Sequence, residues 1–321
     1  MIDISLLSAT TQSTMVLLLV IVVKAIVSQF SATDGMRYFR FYCQRLADKV
    51  NKPNNSTQQQ KISGLVALLI TLLPIVVILW LFEAFVAINE LWQALLLYAA
   101  LGNFSVLQAG PHISQALATN NKQQAKALLS EHCLRDTSAL SNMGLCKATI
   151  EMQLLKHVQL HILPIILFLS IGPITALAYR LLLEMHYSWN TKSTQFSHFG
   201  QSATQLLNIL MWLPIRLYCV MYLLVTLNKL PLLLHSTRQH FFQFNTQILL
   251  ALHAATLNRQ LGGVAMYQQQ KLRRMTANNT ASQPNIADIT NSGKQLFVVD
   301  ILFVILVIIV ATLIYAIPLL K

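Results

Sequence analysis

Apolar positions in this chain gather into long runs instead of alternating with polar ones. A run of about 20 apolar residues can cross a bilayer as a helix. The three most apolar runs are Ile62–Phe85, Val158–Tyr179 and Gln295–Leu320. A fourth, Gln205–Thr226, is nearly as apolar but contains Arg216. Two shorter runs each carry a polar residue: Met15–Phe30 has Lys24, and Leu91–Gln108 has Asn103. The pattern predicts an all-α, polytopic helical membrane protein with four to six transmembrane helices, organised as a single membrane domain over residues 1–321.

Between the runs the period changes. His112–Ala118 and Gln123–Leu134 place Ala116, Leu117, Ala125, Leu128 and Leu129 at helical spacing, with Thr119-Asn120-Asn121 as the turn. A third helix, Leu145–Leu155, leads into the run that starts at Val158. Residues 109–157 therefore read as a helical hairpin segment. His235–Leu261 is helix-like and semi-apolar, with Phe241, Phe242, Phe244, Ile248, Leu249, Leu252 and Leu257, and is expected at the membrane surface or against the hairpin. Residues 275–293, rich in Asn, Thr, Ser and Ala and holding Pro284, read as a flexible linker before the last span.

Composition agrees with a lipid-facing chain. Apolar residues make up 55% of it and charged residues only 11%. The net charge of +12 would suggest nucleic acid in a soluble protein. The placement of the charges says otherwise. All 23 basic residues except Lys24, Arg180, Lys192, Arg216 and Lys321 fall within segments 31–61, 109–157 and 228–295. The positive-inside rule puts those three segments in the cytoplasm of a bacterial inner-membrane protein. With six crossings both termini fall on the far side, as do Glu83, Glu90, Glu184 and Lys192. The excess charge thus encodes topology, and nucleic acid is not an expected partner. A cleaved signal peptide is not expected, since Asp3 is the only charge before Lys24.

Cys43, Cys133, Cys146 and Cys219 contain no CxxC pair, and no metal site is expected. His157 and His161 lie four apart but supply only two ligands. No phosphate loop or nucleophile elbow occurs. Lys271, Arg273 and Arg274 form a short cluster suited to lipid headgroups. A charge at membrane depth costs several kcal/mol, roughly 3 on the lowest scales, and needs a partner or a purpose. Arg216 follows Pro214, which frees the carbonyl of Leu210; a buried partner or an anionic ligand would answer its charge. Arg180 lies within a turn of Glu184, so a local ion pair with snorkelling stands beside a ligand-binding role. Pro164 and Gly172-Pro173 are expected to kink the Val158–Tyr179 span.

Several motifs then follow in order: Arg135-Asp136-Thr137, Lys147-Ala148-Thr149-Ile150-Glu151, Pro164, the stretch from Gly172-Pro173 to Tyr179-Arg180, Phe199-Gly200, and Trp212-Leu213-Pro214-Ile215-Arg216-Leu217. This series resembles the superfamily of the cobalamin-biosynthesis membrane protein CbiB (CobD) and its relative AmpE, most closely over residues 109–217. The enzyme branch looks like an amide-forming synthase that joins an aminopropanol unit to a corrinoid acid. Its pattern is rich in acidic residues that fall here on Leu155, Gln159, His186, Leu207 and Asn208, with family Asn positions at Lys156 and Leu183 and with Glu184 one position displaced. Lys24 stands in an apolar segment where the family tends to carry an acidic residue.

The AmpE branch is the better match on Gly172–Thr175 with Tyr179, and on Trp212–Leu217. The resemblance implies a non-catalytic regulatory protein that modulates β-lactamase induction or the cell-wall-recycling response. It would have no cofactor and no catalytic residue. Its expected partners are the lipid bilayer, an anionic ligand such as a cell-wall fragment or nucleotide, and an AmpD-pathway protein. The CbiB-like synthase is the alternative, and a small transporter a third reading. The candidate functional residues are Arg135, Asp136, Glu151, Tyr179, Arg180 and Arg216, with a polar pocket expected near Arg180 and Arg216. Gly172, Pro173, Phe199, Gly200, Trp212 and Pro214 are expected to be structural.

Overall fold

A computed structural model describes residues 4–31, 35–225, 245–267 and 270–316. Lys229, Arg238, Phe241, Phe242 and Phe244 lie outside the described residues. The protein is an all-α, polytopic membrane protein. Among the described residues, six helical stretches are long and apolar enough to cross a bilayer: Thr11–Phe30, Thr57–Glu83, Asn89–Ala118, Asn142–Ser170, Gln201–Leu224 and Ile286–Leu313. They correspond to the six apolar runs. The chain divides into two compact units, neither continuous in sequence. One holds Met1–Asn103, Gln159–Pro214 and Val304–Lys321; the other holds Phe104–Val158 and Ile215–Phe303.

The first unit contains α1 (Ile4–Phe30), α2 (Arg37–Val50), α3 (Thr57–Glu83), α4 (Asn89–Ala100), α8 (Leu163–Ser170) and α9 (Pro173–Ser188). Lipid-facing side chains such as Ile62, Leu69, Ile70, Leu73 and Ile78 stand exposed along α3. The expected single span Val158–Tyr179 is not one helix. The chain reverses at Ile171-Gly172, where Gly172 takes a φ of 134°, and α9 folds back against α8. Only glycine adopts that backbone without strain, and Pro173 then opens α9 with its φ already helical.

The helical turn before α8 is a π-helix, Val158–Ile162. Pro164 cannot donate to the carbonyl of Leu160, and the amide of Gly102 takes that acceptor at 2.9 Å. A side chain at Gly102 would bring a Cβ within 2.7 Å of Leu160 Cβ. Glycine therefore lets the α4 end approach α8 closely enough for the bond.

Helix α9 is the core of this unit, packed against α2, α3, α4 and α8. Just beyond it, Trp189 is fully buried, meets Phe199 edge-on with centroids 5.0 Å apart, and donates its indole N–H to the Cys43 carbonyl at 2.9 Å. A Cβ on Gly200 would sit 1.8 Å from the Trp189 carbonyl oxygen. The Phe199-Gly200 motif is thus a close-packing device. Segment 189–200 also bonds to residues the charge pattern placed opposite it: Asn51 Nδ2 donates to the Gln195 carbonyl at 2.9 Å, and Gly64 abuts Phe199. Because α9 folds back, this interval packs beside segment 31–61.

The second unit contains α5 (Ser105–Ala118), α6 (Lys122–Ser130), α7 (Asn142–His157), α11 (Asn245–Leu257) and two strands, β1 (Leu261–Tyr267) and β2 (Gln270–Ala277). Helices α5 and α6 pack against each other, the chain turning between them through Asn120 at a φ of 57°. Asn121 caps α6 by accepting the Gln124 amide, and Ser141 caps α7 by accepting that of Gly144. Ile113, Leu117, Ala125, Leu129, Leu145, Ile150, Ala254 and Leu261 form the core beneath them.

The antiparallel β-hairpin was not expected. It replaces the end of the predicted His235–Leu261 helix and the start of the predicted linker. Gly262 and Gly263, both at positive φ, bulge the register between Leu261↔Ala277 and Val264↔Arg273. Of the interval 275–293, only 278–285 lies between elements. Helix α12 (Ile286–Ala316) begins at once, because Asn285 and Asp288 cap it reciprocally at 3.1 and 2.7 Å. Helix α10 (Gln201–Val225) runs without interruption through Pro214. Trp212 is 42% exposed on that helix.

Candidate functional site

In the second unit the motif residues converge on Glu151. Its Oε1 accepts the backbone N–H of Gly262 at 2.8 Å, and its Oε2 meets Arg274 Nη2 at 2.9 Å. Arg274 Nε also donates to the Gly263 carbonyl at 3.3 Å. The glycine bulge explains the first bond: it turns one strand amide out of the ladder towards α7. A Cβ at Gly262 would lie 2.1 Å from the Met275 carbonyl oxygen. Lys147, one turn before Glu151 on the same helix face, lies in the field of Glu151, Arg135 and Arg274.

Arg135 reaches the same hairpin, its Nη2 donating to the Val264 carbonyl at 3.3 Å. Its Nε and Nη1 are shielded from solvent without a hydrogen-bond partner. Asp136 is a local organiser: its amide donates to Met266, and its Oδ1 accepts both the hydroxyl and the amide of Ser138. Those two bonds, the hydroxyl first, hold the carboxyl below its usual range. Arg274 thus pairs with the carboxylate, and Lys147 and Arg135 belong to the same charged neighbourhood, a site suited to an anionic reactant.

The first unit holds a second constellation. Glu184 on α9 bridges Arg180 at 2.8 Å and Arg40 of α2 at 3.0 Å, with Arg180 and Glu184 both buried. Tyr179 is buried and donates to the Gln159 carbonyl at 3.0 Å, while Tyr187 donates to Gln159 Oε1 at 2.7 Å. Arg180 also lines a cavity of about 320 Å³ with Lys24, Ser28, Ser31, Tyr98 and Asn103. Arg216 is not among its lining residues. It sits in the other unit, buried, with Nη1 donating to Asn245 Oδ1. The pocket expected near Arg180 and Arg216 is therefore a pocket at Arg180 alone, and Arg216 has found a buried neutral partner.

Sequence reasoning missed several polar groups. Asp300 lies midway along α12 and pairs with His157 Nε2 at 2.8 Å. It is the one acidic residue inside the run Gln295–Leu320, which was the available signal. Tyr222, His253 and Ser292 form a chain of bonds at 2.6 and 2.8 Å, linking α10, α11 and α12. Arg259 ties the end of α11 to Asp288 at 2.7 Å. No group of three or more His, Cys, Asp or Glu side chains is placed to hold a metal among the described residues.

The sequence profile of the CobD/Cbib protein family matches residues 17–297, which takes in both constellations. The chain belongs to the CobD/Cbib family. Its curated relatives include the cobalamin biosynthesis protein CobD of Stutzerimonas stutzeri (strain A1501), 26% identical over 267 residues, 81% of this chain and 88% of the relative. That of Chromobacterium violaceum is 28% identical over 213 residues, 66% and 68% of the two chains. That of Leptospira interrogans serovar copenhageni is 22% identical over 260 residues, 77% and 82%. No solved structure matches the chain. These CobD/Cbib relatives support the family and the cobalamin reading that stood as the alternative. They lend no support to β-lactamase induction or signalling.

Proposed function

We propose that this protein serves cobalamin biosynthesis as a CobD/CbiB-type membrane protein, forming an amide between an amine and a corrinoid acid, with the Glu151 cluster as its working site. One observation carries the reading: Arg135, Lys147 and Glu151, from two motifs that carry the family resemblance, share one site with Arg274. Arg135 and Lys147 would hold an anionic reactant. Glu151, pinned by Arg274 and the Gly262 amide, would keep them in place.

The test is rescue of a cobalamin auxotroph lacking its CbiB-type synthase. Rescue by the wild-type chain, and its loss in Glu151→Gln and Arg135→Ala at equal membrane abundance, is the expected result. Absence of rescue by a wild-type chain that inserts normally sinks the proposal.

A second reading, an AmpE-type regulator of the cell-wall-recycling response, is favoured by the replaced acidic positions at Leu155, Gln159, His186, Leu207 and Asn208. Glu151 and Glu184 are both engaged by guanidinium groups, so neither offers a free carboxylate for magnesium-bound phosphates. Altered β-lactamase induction on deleting the gene, without corrinoid rescue, would select this reading.

A further inference from the structure

Helix α2 has an outer face that neither the Glu151 cluster nor the Arg40–Glu184 bridge uses. Its inner face is settled. Cys43 and Ala47 are fully buried, Arg40 turns in to Glu184, and the Cys43 carbonyl accepts the Trp189 indole N–H. The opposite side, at helical spacing, shows Tyr38 at 85%, Phe41 at 55% and Tyr42 at 44% exposure. Arg45 and Lys49 continue that spacing and are exposed, with the Arg45 guanidinium 5.0 Å from the centroid of the Phe41 ring. Asp48 is the one acid on the helix, against four basic residues, so the face stays basic.

A face that meets only water gains nothing from three large rings, and a face sunk in hydrocarbon would exclude the charges. Rings interleaved with Arg and Lys suit a helix in the headgroup region, with the rings towards the acyl chains and the cations towards the phosphates. The place of α2 in the first unit agrees. It stands between the spans Thr11–Phe30 and Thr57–Glu83, in a segment whose basic residues mark the cytoplasmic side. Tyr42 shares a hydrogen bond of 3.3 Å with Thr71 of α3, so the face borders the lipid-facing surface of that span, where Ile62, Leu65 and Leu69 are exposed. Neutral headgroups would satisfy the rings alone; the cations select anionic ones.

We propose that the outer face of α2 docks on anionic phospholipid headgroups, its rings anchored in the interface and Arg45 and Lys49 selecting the lipid charge. The inference does not rest on the corrinoid reading. Its test uses the full chain in nanodiscs of phosphatidylcholine, with and without phosphatidylglycerol. A nitroxide is attached at Tyr38→Cys or Phe41→Cys in a Cys133→Ser background. Collision of the label with oxygen, which concentrates in lipid, is compared with collision with a water-soluble nickel chelate.

In discs containing phosphatidylglycerol both labels should meet oxygen more than the chelate. That ratio should fall in phosphatidylcholine alone and in the double variant Arg45→Gln, Lys49→Gln, whose exposed positions leave the packing of α2 intact. A label reached mainly by the chelate places the face in water. A label screened from both reagents places it against protein, a second copy of the chain included. Either result overturns the proposal, and so does a ratio indifferent to lipid charge and to the double substitution.

Discussion

Glu184 shows how one carboxylate can organise a helix. It is 1% exposed and bridges Arg180 on its own helix with Arg40 on α2. Desolvating these charges is costly, so the cluster need not be more stable than an apolar replacement of the whole set. Removing a single partner is different, because it leaves buried charge uncompensated, at a cost of about 3–5 kcal/mol. Glu184→Gln should therefore destabilise the protein by about 3 kcal/mol or more in chemical unfolding from detergent micelles. A loss within about 0.5 kcal/mol, the range of an ordinary surface change, would show that the bridge carries little. The sequence disclosed half of this arrangement. The spacing of Arg180 and Glu184 announced the local pair, but nothing local in Arg40, 144 residues away from Glu184, announced its part in it. Arg274 and Glu151 repeat the lesson: a long-range partner lacks a periodic signal.

At the level of elements, hydrophobic period carried the helices and failed where backbone chemistry intervened. The α5–α6 hairpin was legible because its apolar faces and its Asn turn agree. The α8–α9 reversal was read as a kink, since Gly-Pro within an apolar run fits both and only the positive φ of Gly172 separates them. The β-hairpin was hidden by polar, basic residues that bear no clear strand alternation.

A buried chain of bonds joins α10, α11 and α12, and it has a pH signature. His253 is fully enclosed between the Tyr222 and Ser292 hydroxyls. A neutral ring, with one donor and one acceptor nitrogen, suits that pair. Burial, and then the neighbouring charge of His157, push its pKa down from 6.5 to about 3. The unfolded chain then binds a proton before the folded one does. Stability is full above about pH 6.5 and falls as pH drops from there towards about 3. Unfolding midpoints measured from about pH 7 to about pH 5 should decline in the wild type and decline less in His253→Gln. Parallel slopes would mean that other groups govern the acid limb.

For the whole molecule, the charge pattern and the bonding in the first unit together predict a topology. Segments 31–61, 109–157 and 228–295 concentrate the basic residues, which places them on one side by the positive-inside rule. Alternation alone puts Lys192 on the other side. The α8–α9 reversal, the Asn51–Gln195 bond and the burial of Trp189 against Cys43 instead put it beside segment 31–61. At 16 residues α9 is about 24 Å long, short of a hydrocarbon core of about 30 Å, which suits a helix that returns from within the membrane. Single cysteines at Lys192 and Lys52 should therefore react alike with a membrane-impermeant maleimide: protected in intact cells, labelled in inverted vesicles. The half-buried Cys133 is replaced by Ser in this background. Cys43 adds little labelling, since it is buried and its thiol is pushed up to about 12, first by burial and then by the Glu184 charge. A cysteine at Leu91, next to the far end of α3 (Thr57–Glu83), should show the opposite labelling. Labelling of Lys192→Cys with Leu91→Cys rather than with Lys52→Cys would restore simple alternation and require α9 to cross the bilayer.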